Sequence, residues 1–427
     1  MEYYREELFP FVSLTALQTD KFKSGCLSAT LLTQLDRETA AEYAVLPYVL
    51  RRGTTSLPDM RAFSARLDGL YGAVIEPRVR KLGEIQGLGF ISRFSEDRYL
   101  PGNPGVLEEV IRLTADLWLS PNTRGGLFQS AYVDSERQKL LERLAAMRND
   151  RQGWALRRLV ENMCAFEPYA VSAYGSEEEA EAIHYVKLTK DYRTLLASSP
   201  MEFFYCGSQP GPRVADMLRE ALMLLPRGEI DLELGTDVRL NAVEAQPRFF
   251  SEEMNLTQGN LAVGFRLGEC MEDPDEAAIR VFNGLYGEDL NSKLFLNVRE
   301  KQSLCYDVIS SVDILKGIMT VYAGIDLDKY QPALDEILHQ LDLIREGEIT
   351  EEELTAVRNF TAAKLRSVPD DCLALERFYL RQTVQGLDAS PLEMAALAES
   401  VTRDRLVEIA RGVETDAVFF LKGEDEE

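Results

Sequence analysis

The hydrophobic pattern changes from a helical to a strand period within one short stretch. Apolar residues four apart over 290–298 predict a helix, and alternation of side chains over 306–310 predicts a strand. Arg299 ends this helix and Tyr306 begins the strand, seven residues later. A guanidinium and a phenol are therefore expected to converge where the chain turns. The alternative is structural, with Arg299 pairing a surface carboxylate and Tyr306 half-buried.

The same reasoning predicts alternating strands and helices along the whole chain. Strands are expected at about residues 12–18, 26–35, 74–78, 85–94, 201–207, 260–265 and 318–325. Helices are expected at about residues 38–52, 56–69, 106–119, 134–149, 153–165, 214–225, 276–285, 332–345 and 350–366. Ser56 is the expected N-cap of the second helix, and Thr350 with Glu353 forms a capping box for the last. These elements indicate an α+β protein.

Two halves and a linker are expected. Residues 226–247 show no sustained period and contain several turn formers, so they are the predicted linker between a first domain at 1–225 and a second at 248–427. A weak internal repeat agrees with this division, because Arg66 and Asp97-Arg98-Tyr99 lie 233 and 231 residues before Arg299 and Asp328-Lys329-Tyr330. Two diverged copies of one α+β unit would keep this order.

Length, charge and cysteine spacing narrow the class of protein. A chain of 427 residues suits two domains. The net charge of −24 disfavours nucleic acid and anionic membranes as partners and favours a basic peptide. The start is acidic and no apolar run is long enough to span a bilayer, so a cytoplasmic protein is expected. Six scattered cysteines without a Cys-x-x-Cys suggest neither a disulfide framework nor a thiolate zinc site.

A family resemblance appears in the residues of the opening stretch. Ser-Lys-Leu-Phe from position 292 and Val-Arg-Glu-Lys from position 298, followed by Leu304 and Tyr306, resemble the C-terminal signature of the insulinase/pitrilysin family of zinc peptidases. Glu167-Pro168-Tyr169-Ala170 resembles the family's His-Pro-Tyr-Gly. The resemblance implies two homologous domains, each a mixed, mostly antiparallel sheet packed with helices. It also implies that Arg299 and Tyr306 bind a substrate backbone near the scissile carbonyl.

The family's zinc site is degenerate in this chain. Arg52-Gly53-Thr54 aligns the His-x-x-Glu-His motif with residues 44–48, so Ala44 and Tyr48 replace the two histidines and Pro47 replaces the catalytic base. Ala44 has no donor atom, Pro47 cannot accept a proton and is expected to kink the helix, and the phenol of Tyr48 titrates near 10. Arg143 stands where the third ligand would be. We expect Arg143 to pair with Glu142 or Glu136 and this chain to hold no cofactor.

Neither the two histidines nor any other motif supplies a replacement site. His184 and His339 lie on separate predicted helices without a ligand at the usual offset. The resemblance therefore implies a non-catalytic subunit, which supplies Arg299 and Tyr306 to peptide held at the zinc of a sibling subunit in a dimer. Two alternatives are a purely structural subunit and a peptide-binding homodimer without proteolysis.

Overall fold

The computed structural model describes residues 1–230, 234–268 and 276–423. Residues 231–233 of the predicted linker and Cys270 lie outside the described residues. The strands are β1 Glu2–Phe9, β2 Val12–Gln18, β3 Ser24–Gln34, β4 Val74–Leu82, β5 Ile85–Ser95, β6 Thr123–Arg124, β7 Leu127–Phe128, β8 Met201–Gly207, β9 Arg248–Met254, β10 Gly259–Arg266, β11 Cys305–Asp313, β12 Ile318–Ile325 and β13 Glu414–Gly423. The predicted strands are all present, and β1, β6, β7, β9 and β13 are additional to them.

Helices fill most of the remaining described chain. They are α1 Ala40–Leu50, α2 Met60–Asp68, α3 Val106–Leu119, α4 Ser130–Ala146, α5 Arg151–Met163, α6 Glu177–Glu181, α7 Tyr185–Ser198, α8 Gly211–Ala221, α9 Glu276–Asn283, α10 Tyr330–Arg345, α11 Glu351–Ser367, α12 Cys372–Gln385, α13 Pro391–Ser400 and α14 Arg403–Gly412. The capping box of Thr350 and Glu353 is confirmed. The predicted cap at Ser56 is wrong, because Asp59 accepts the hydrogen bond from the Ala62 amide and α2 begins four residues later than expected.

Eleven of the strands form two sheets with the same topology, and β6 and β7 form a separate two-stranded sheet. The first has the order β1-β2-β8-β3-β5-β4, and the second has the order β11-β12-β10-β13-β9. In each, one parallel pair, β2 with β8 or β9 with β13, lies beside antiparallel pairs. Counted from the parallel pair, the strand order β2-β8-β3-β5-β4 of the first sheet corresponds to β9-β13-β10-β12-β11 of the second. The predicted α+β class with two repeated, mostly antiparallel sheets is therefore confirmed.

The described chain separates into two compact units, and each draws on both halves of the sequence. One unit contains Met1–Ala145, Val171–Gly235 and Asp370–Leu387, and the other contains Ala146–Ala170, Thr236–Pro369 and Asp388–Glu427. The predicted domain boundaries at residues 225 and 248 divide the sequence into consecutive halves, and they stay a prediction. The contacts show in addition that each unit includes one short segment from the opposite half of the sequence.

The exchanged segments carry helices to equivalent places on the two sheets. Helix α5 packs on β10 and β13, and α12 packs on β8 and β3, which are the corresponding strands of the repeat. Leu159 and Met163 of α5 are buried against the second sheet. A Cβ at Gly264 would lie only 2.6 Å from the sulfur of Met163, so a glycine in β10 permits this close approach.

A buried ionic network fastens the α5 segment to its sheet. Arg266 of β10 is fully buried and pairs with Asp416 of β13 at 2.9 Å and with Glu167 at 2.6 Å. Glu167 also accepts from Lys316 at 2.7 Å. Tyr169, two residues on, donates to Asp313 at 2.7 Å. The Glu-Pro-Tyr-Ala segment thus contributes charge-paired, buried contacts to a sheet formed by the other half of the chain.

Candidate functional site

Arg299 lies on a π-helical turn that leads into the second sheet. The turn spans Phe295–Lys301. The guanidinium lies 4.6 Å from the ring centroid of Phe295 and 3.6 Å from the carboxylate of Glu300. About two-fifths of the Arg299 side chain is exposed. An exposed ion pair of this length is weak in water, so the guanidinium stays available to another anion or carbonyl.

A tight reversal brings the end of this turn to the start of β11. The Leu304 amide donates to the carbonyl of Val298 at 2.9 Å, and the Ser303 amide donates to that of Arg299 at 3.1 Å. Ser303 adopts a φ of 53°, in the left-handed region that allows the chain to turn back. The predicted helix-to-strand reversal is present, although Leu290, which was expected on the apolar stripe, is exposed.

Tyr306 occupies a β-bulge at the beginning of β11. Cys305 pairs with Ile325 and Asp307 pairs with Gly324, so Tyr306 is the extra residue on the edge strand. A bulge redirects its side chain away from the regular alternation. The phenol of Tyr306 is accordingly exposed over about half of its surface (53%), while Cys305 beside it is buried. Burial raises the pKa of the Cys305 thiol to about 12, which makes it a poor nucleophile.

The phenol belongs to a short chain of polar contacts. Tyr306 donates to the carboxylate of Asp326, which pairs with Lys329 at 2.8 Å. Lys329 in turn donates to the Ser303 carbonyl at 3.1 Å. The hydrogen bond to Asp326 raises the pKa of Tyr306, and the hydrogen bond from Lys329, with that from Tyr306, lowers the pKa of Asp326. Tyr306 is thereby kept protonated and able to donate.

Arg299 and Tyr306 face one cavity of about 400 Å³. Its lining residues are Arg299, Glu300, Ser303, Leu304, Cys305, Tyr306, Asp326 and Lys329. A guanidinium, an ammonium group and a phenol give this cavity several donors suited to a carbonyl or a carboxylate. From the sequence, Lys329 was noted only as part of the internal repeat, and Asp326 was not identified. Both residues follow β12 and lie opposite the bulge because β11 pairs with β12.

The positions that the family resemblance aligns with the zinc site lie on α1 and α4 of the first unit. Ala44 and Pro47 are buried and Tyr48 is half-buried on α1, which continues to Leu50 through Pro47. The expected kink is therefore not severe enough to end the helix. Arg143 donates to the Tyr48 hydroxyl at 2.7 Å, and its guanidinium lies 5.0 Å from the ring centroid of Tyr174. Positions 48 and 143 are thus adjacent, as a shared ligand set would require.

The partners of Arg143 differ from those expected. Two phenols contact its guanidinium, whereas Glu136 pairs with Arg52 and with Lys139. Glu136 is buried on the α4 face toward Arg52, while Arg143 lies two helical turns further along. A methyl group, a pyrrolidine ring, a phenol and a cation do not fit zinc. Among residues 1–230, 234–268 and 276–423, no group of three His, Cys, Asp or Glu side chains is placed to hold a metal ion.

No helix within the described residues is long and apolar enough to cross a membrane.

Comparison with known proteins is consistent with the repeated fold and with the absence of zinc ligands at the aligned positions. Residues 182–360 match the model of the Peptidase M16 inactive domain. The chain is 29% identical over 426 residues to the probable inactive metalloprotease YmfF of Bacillus subtilis, covering 99% of each.

Solved structures share the fold over the whole chain. A conserved protein from Enterococcus faecalis superposes with a TM-score of 0.88 at 26% identity, covering 100% of this chain and 99% of that one. A peptidase M16 inactive domain from Pseudomonas fluorescens superposes with a TM-score of 0.79 at 14% identity, with the same coverage. The resemblance to the insulinase/pitrilysin family is therefore confirmed: residues 182–360 match the M16 inactive domain, and the whole chain is similar to a relative named as a probable inactive metalloprotease.

Proposed function

We propose that this chain is the non-catalytic subunit of a heteromeric zinc metallopeptidase, and that it supplies Arg299 and Tyr306 to peptide held at the zinc site of a sibling subunit. The observation that carries the proposal is the cavity onto which both side chains open. Its donors remain while the zinc-site positions of the same chain have lost every ligand. A purely structural subunit would have no need of an exposed donor pair on a bulged strand.

The chemistry required of the pair is stabilisation of negative charge. When water attacks a peptide carbonyl, the oxygen gains charge, and a guanidinium with a phenolic donor nearby stabilises that state more than the ground state. Tyr306 must first break its hydrogen bond to Asp326 and donate instead to the substrate oxygen. The ion pair with Lys329 at 2.8 Å, which Asp326 retains, limits the cost of this exchange. The net charge of −24 adds a general attraction for basic peptides.

The test uses the zinc-bearing sibling that co-purifies with this chain from its native host. Peptide turnover is measured for the sibling mixed with wild type, Arg299→Ala or Tyr306→Phe, after complex formation has been checked by gel filtration. Loss of one donor is expected to lower kcat by roughly a hundred- to a thousand-fold. A donor that acts only in binding would raise KM and leave kcat unchanged.

Matched controls separate this role from a scaffold role. Arg411→Ala and Tyr99→Phe remove an exposed cation and an exposed phenol that lie outside the cavity, so both variants should keep wild-type turnover. Equal activity with wild type and the cavity variants, or full activity of the sibling alone, would contradict the proposal and favour a structural subunit. Isolation of this chain only as a peptide-binding homodimer would favour the homodimer alternative.

A further inference from the structure

Three cysteines of the first unit gather on one face of its sheet. Cys26 of β3 and Cys206 of β8 are direct partners in the antiparallel register. Partners of this kind project to the same face of a sheet. Helix α12 packs across both strands and begins with Cys372. The Cys372 sulfur lies 3.9 Å from the Ser24 carbonyl, two residues before Cys26, so the start of the helix lies against this end of β3.

The three thiols differ in exposure and in acidity. Cys26 and Cys206 are fully buried, whereas Cys372 is partly exposed. Cys206 and Cys372 are hydrogen-bonded to each other; this bond lowers the pKa of Cys372, and the same bond together with burial raises that of Cys206. Burial raises the pKa of Cys26 as well. A partly exposed thiol with a lowered pKa beside a buried thiol is the arrangement of an attacking and a resolving cysteine.

We propose that Cys372 and Cys206 are a redox-active pair that hydrogen peroxide converts to an intrachain disulfide. The Cys372 thiolate attacks one peroxide oxygen, so an S–O bond forms, the O–O bond breaks and hydroxide leaves as water after taking up a proton. Cys206 then loses its proton and attacks the sulfenic sulfur, which forms the S–S bond and releases a second water. The two thiols lose two electrons in total, and the peroxide gains them.

The disulfide has a defined structural effect. It joins β8 to α12, the helix that the C-terminal half of the chain contributes to this unit. The Phe204 and Tyr379 rings already stack at 6.3 Å between the same two elements, and the buried Glu376 pairs with Arg80 of β4 at 2.8 Å. A covalent bond would therefore add to the packing and the ion pair that hold this exchanged helix. Closing so long a loop stabilises mainly by restricting the unfolded chain.

The experiment treats the reduced full-length protein with equimolar hydrogen peroxide and then blocks the remaining thiols with N-ethylmaleimide. Intact-mass measurement is expected to show the loss of two hydrogens, and tryptic mapping is expected to find the Cys206 and Cys372 peptides joined. Cys206→Ser should stop at a sulfenic acid on Cys372 that dimedone traps. Cys26→Ser should still form the bridge, and the oxidised wild type should unfold at a higher temperature than the reduced form.

Controls decide between this pair and other cysteines. Cys164→Ser removes a buried thiol of the other unit and should leave the bridge unchanged. Absence of the joined peptide in folded wild type would overturn the proposal, as would an equal yield of a disulfide in Cys372→Ser. A bridge from Cys26 to either partner would also overturn the assignment. Because peptide mapping of the wild type is decisive by itself, the test does not depend on whether each variant folds.

Discussion

Arg143 donates a hydrogen bond of 2.7 Å to the hydroxyl of Tyr48, and both stand at positions that the family resemblance aligns with zinc ligands. The guanidinium lies 4.9 Å from the Tyr48 ring centroid. Helices α1 and α4 therefore lie close enough to share a metal, but the side chains that meet between them are a phenol and a cation.

Restoring the ligands is expected to restore zinc binding. Ala44→His, Pro47→Glu, Tyr48→His and Arg143→Glu together should bind about one zinc per chain, measured by metal analysis after dialysis. Removing Pro47 also returns a backbone donor to α1.

The matched control keeps Arg143 and makes the other three changes. Its cation should weaken zinc binding by more than the roughly 10- to 100-fold that loss of an outer-shell partner costs. If the variant with all four substitutions bound no metal and kept the circular dichroism spectrum of wild type, α1 would not place the introduced ligands in a geometry that binds zinc.

Asp326 is expected to control the titration of Tyr306. The hydrogen bond to this carboxylate raises the pKa of the Tyr306 phenol, so Asp326→Asn should lower that pKa toward its ordinary value. The measurement is phenolate absorbance against pH, with the spectrum of each protein's Tyr306→Phe counterpart subtracted. Asp328→Asn, two residues along, should produce a smaller shift. Identical titrations for all three proteins would mean that Asp326 does not hold the phenol in solution.

Breaking the buried ion pair of the second sheet should destabilise that unit strongly. Arg266 and Asp416 are both without exposed side-chain surface, so Asp416→Ala leaves a buried cation less compensated and should cost about 3–5 kcal/mol of unfolding free energy. In a Trp118→Phe background, Trp154 on α5 reports the second unit by fluorescence during urea unfolding. Asp335→Ala, at an exposed position on α10, should stay within about 0.5 kcal/mol of its parent. A shift of similar size in both variants would contradict the prediction.

Glu167 is expected to make the second unit sensitive to acid. Burial opposes ionisation of Glu167, but hydrogen bonds from Arg266 and Lys316 outweigh it, and the pKa is lower than usual. A lowered folded pKa means that the stabilisation is complete above the unfolded value of about 4.3 and is lost as the pH falls through the folded value.

The acid sensitivity is measured from the urea midpoint of the Trp154 signal between about pH 6 and about pH 3. Wild type should lose more stability over this range than Glu167→Gln, which has no proton to take up. Glu346→Gln, at an exposed position after α10, should follow the wild-type slope. Parallel curves for wild type and Glu167→Gln would show that another group carries the acid response.

Local pattern was sufficient for most of the secondary structure but not for strands at sheet edges or for the chain's end. Period and capping residues predicted α11 with its Thr350 cap and the central strands, because these signals depend on neighbours in sequence. β1 was missed since charges such as Arg5 and Glu7 interrupt its alternation, as edge strands allow. β9 was missed because its alternation is short and lies beside a stretch of turn formers.

The sequence by itself indicated the family resemblance, the replacement of the residues that this resemblance aligns with zinc ligands, and the approach of Arg299 and Tyr306 at one turn, because each depends on residue identity at fixed spacing. Tertiary structure alone decided which helix covers which sheet. It also decided that Tyr306 is hydrogen-bonded to Asp326 and that two phenols contact Arg143. The proximity of the three cysteines Cys26, Cys206 and Cys372 likewise depends on the folded chain. These contacts join residues far apart in the chain. Their partners are set by strand register and helix packing, and local periodicity carries no information about either.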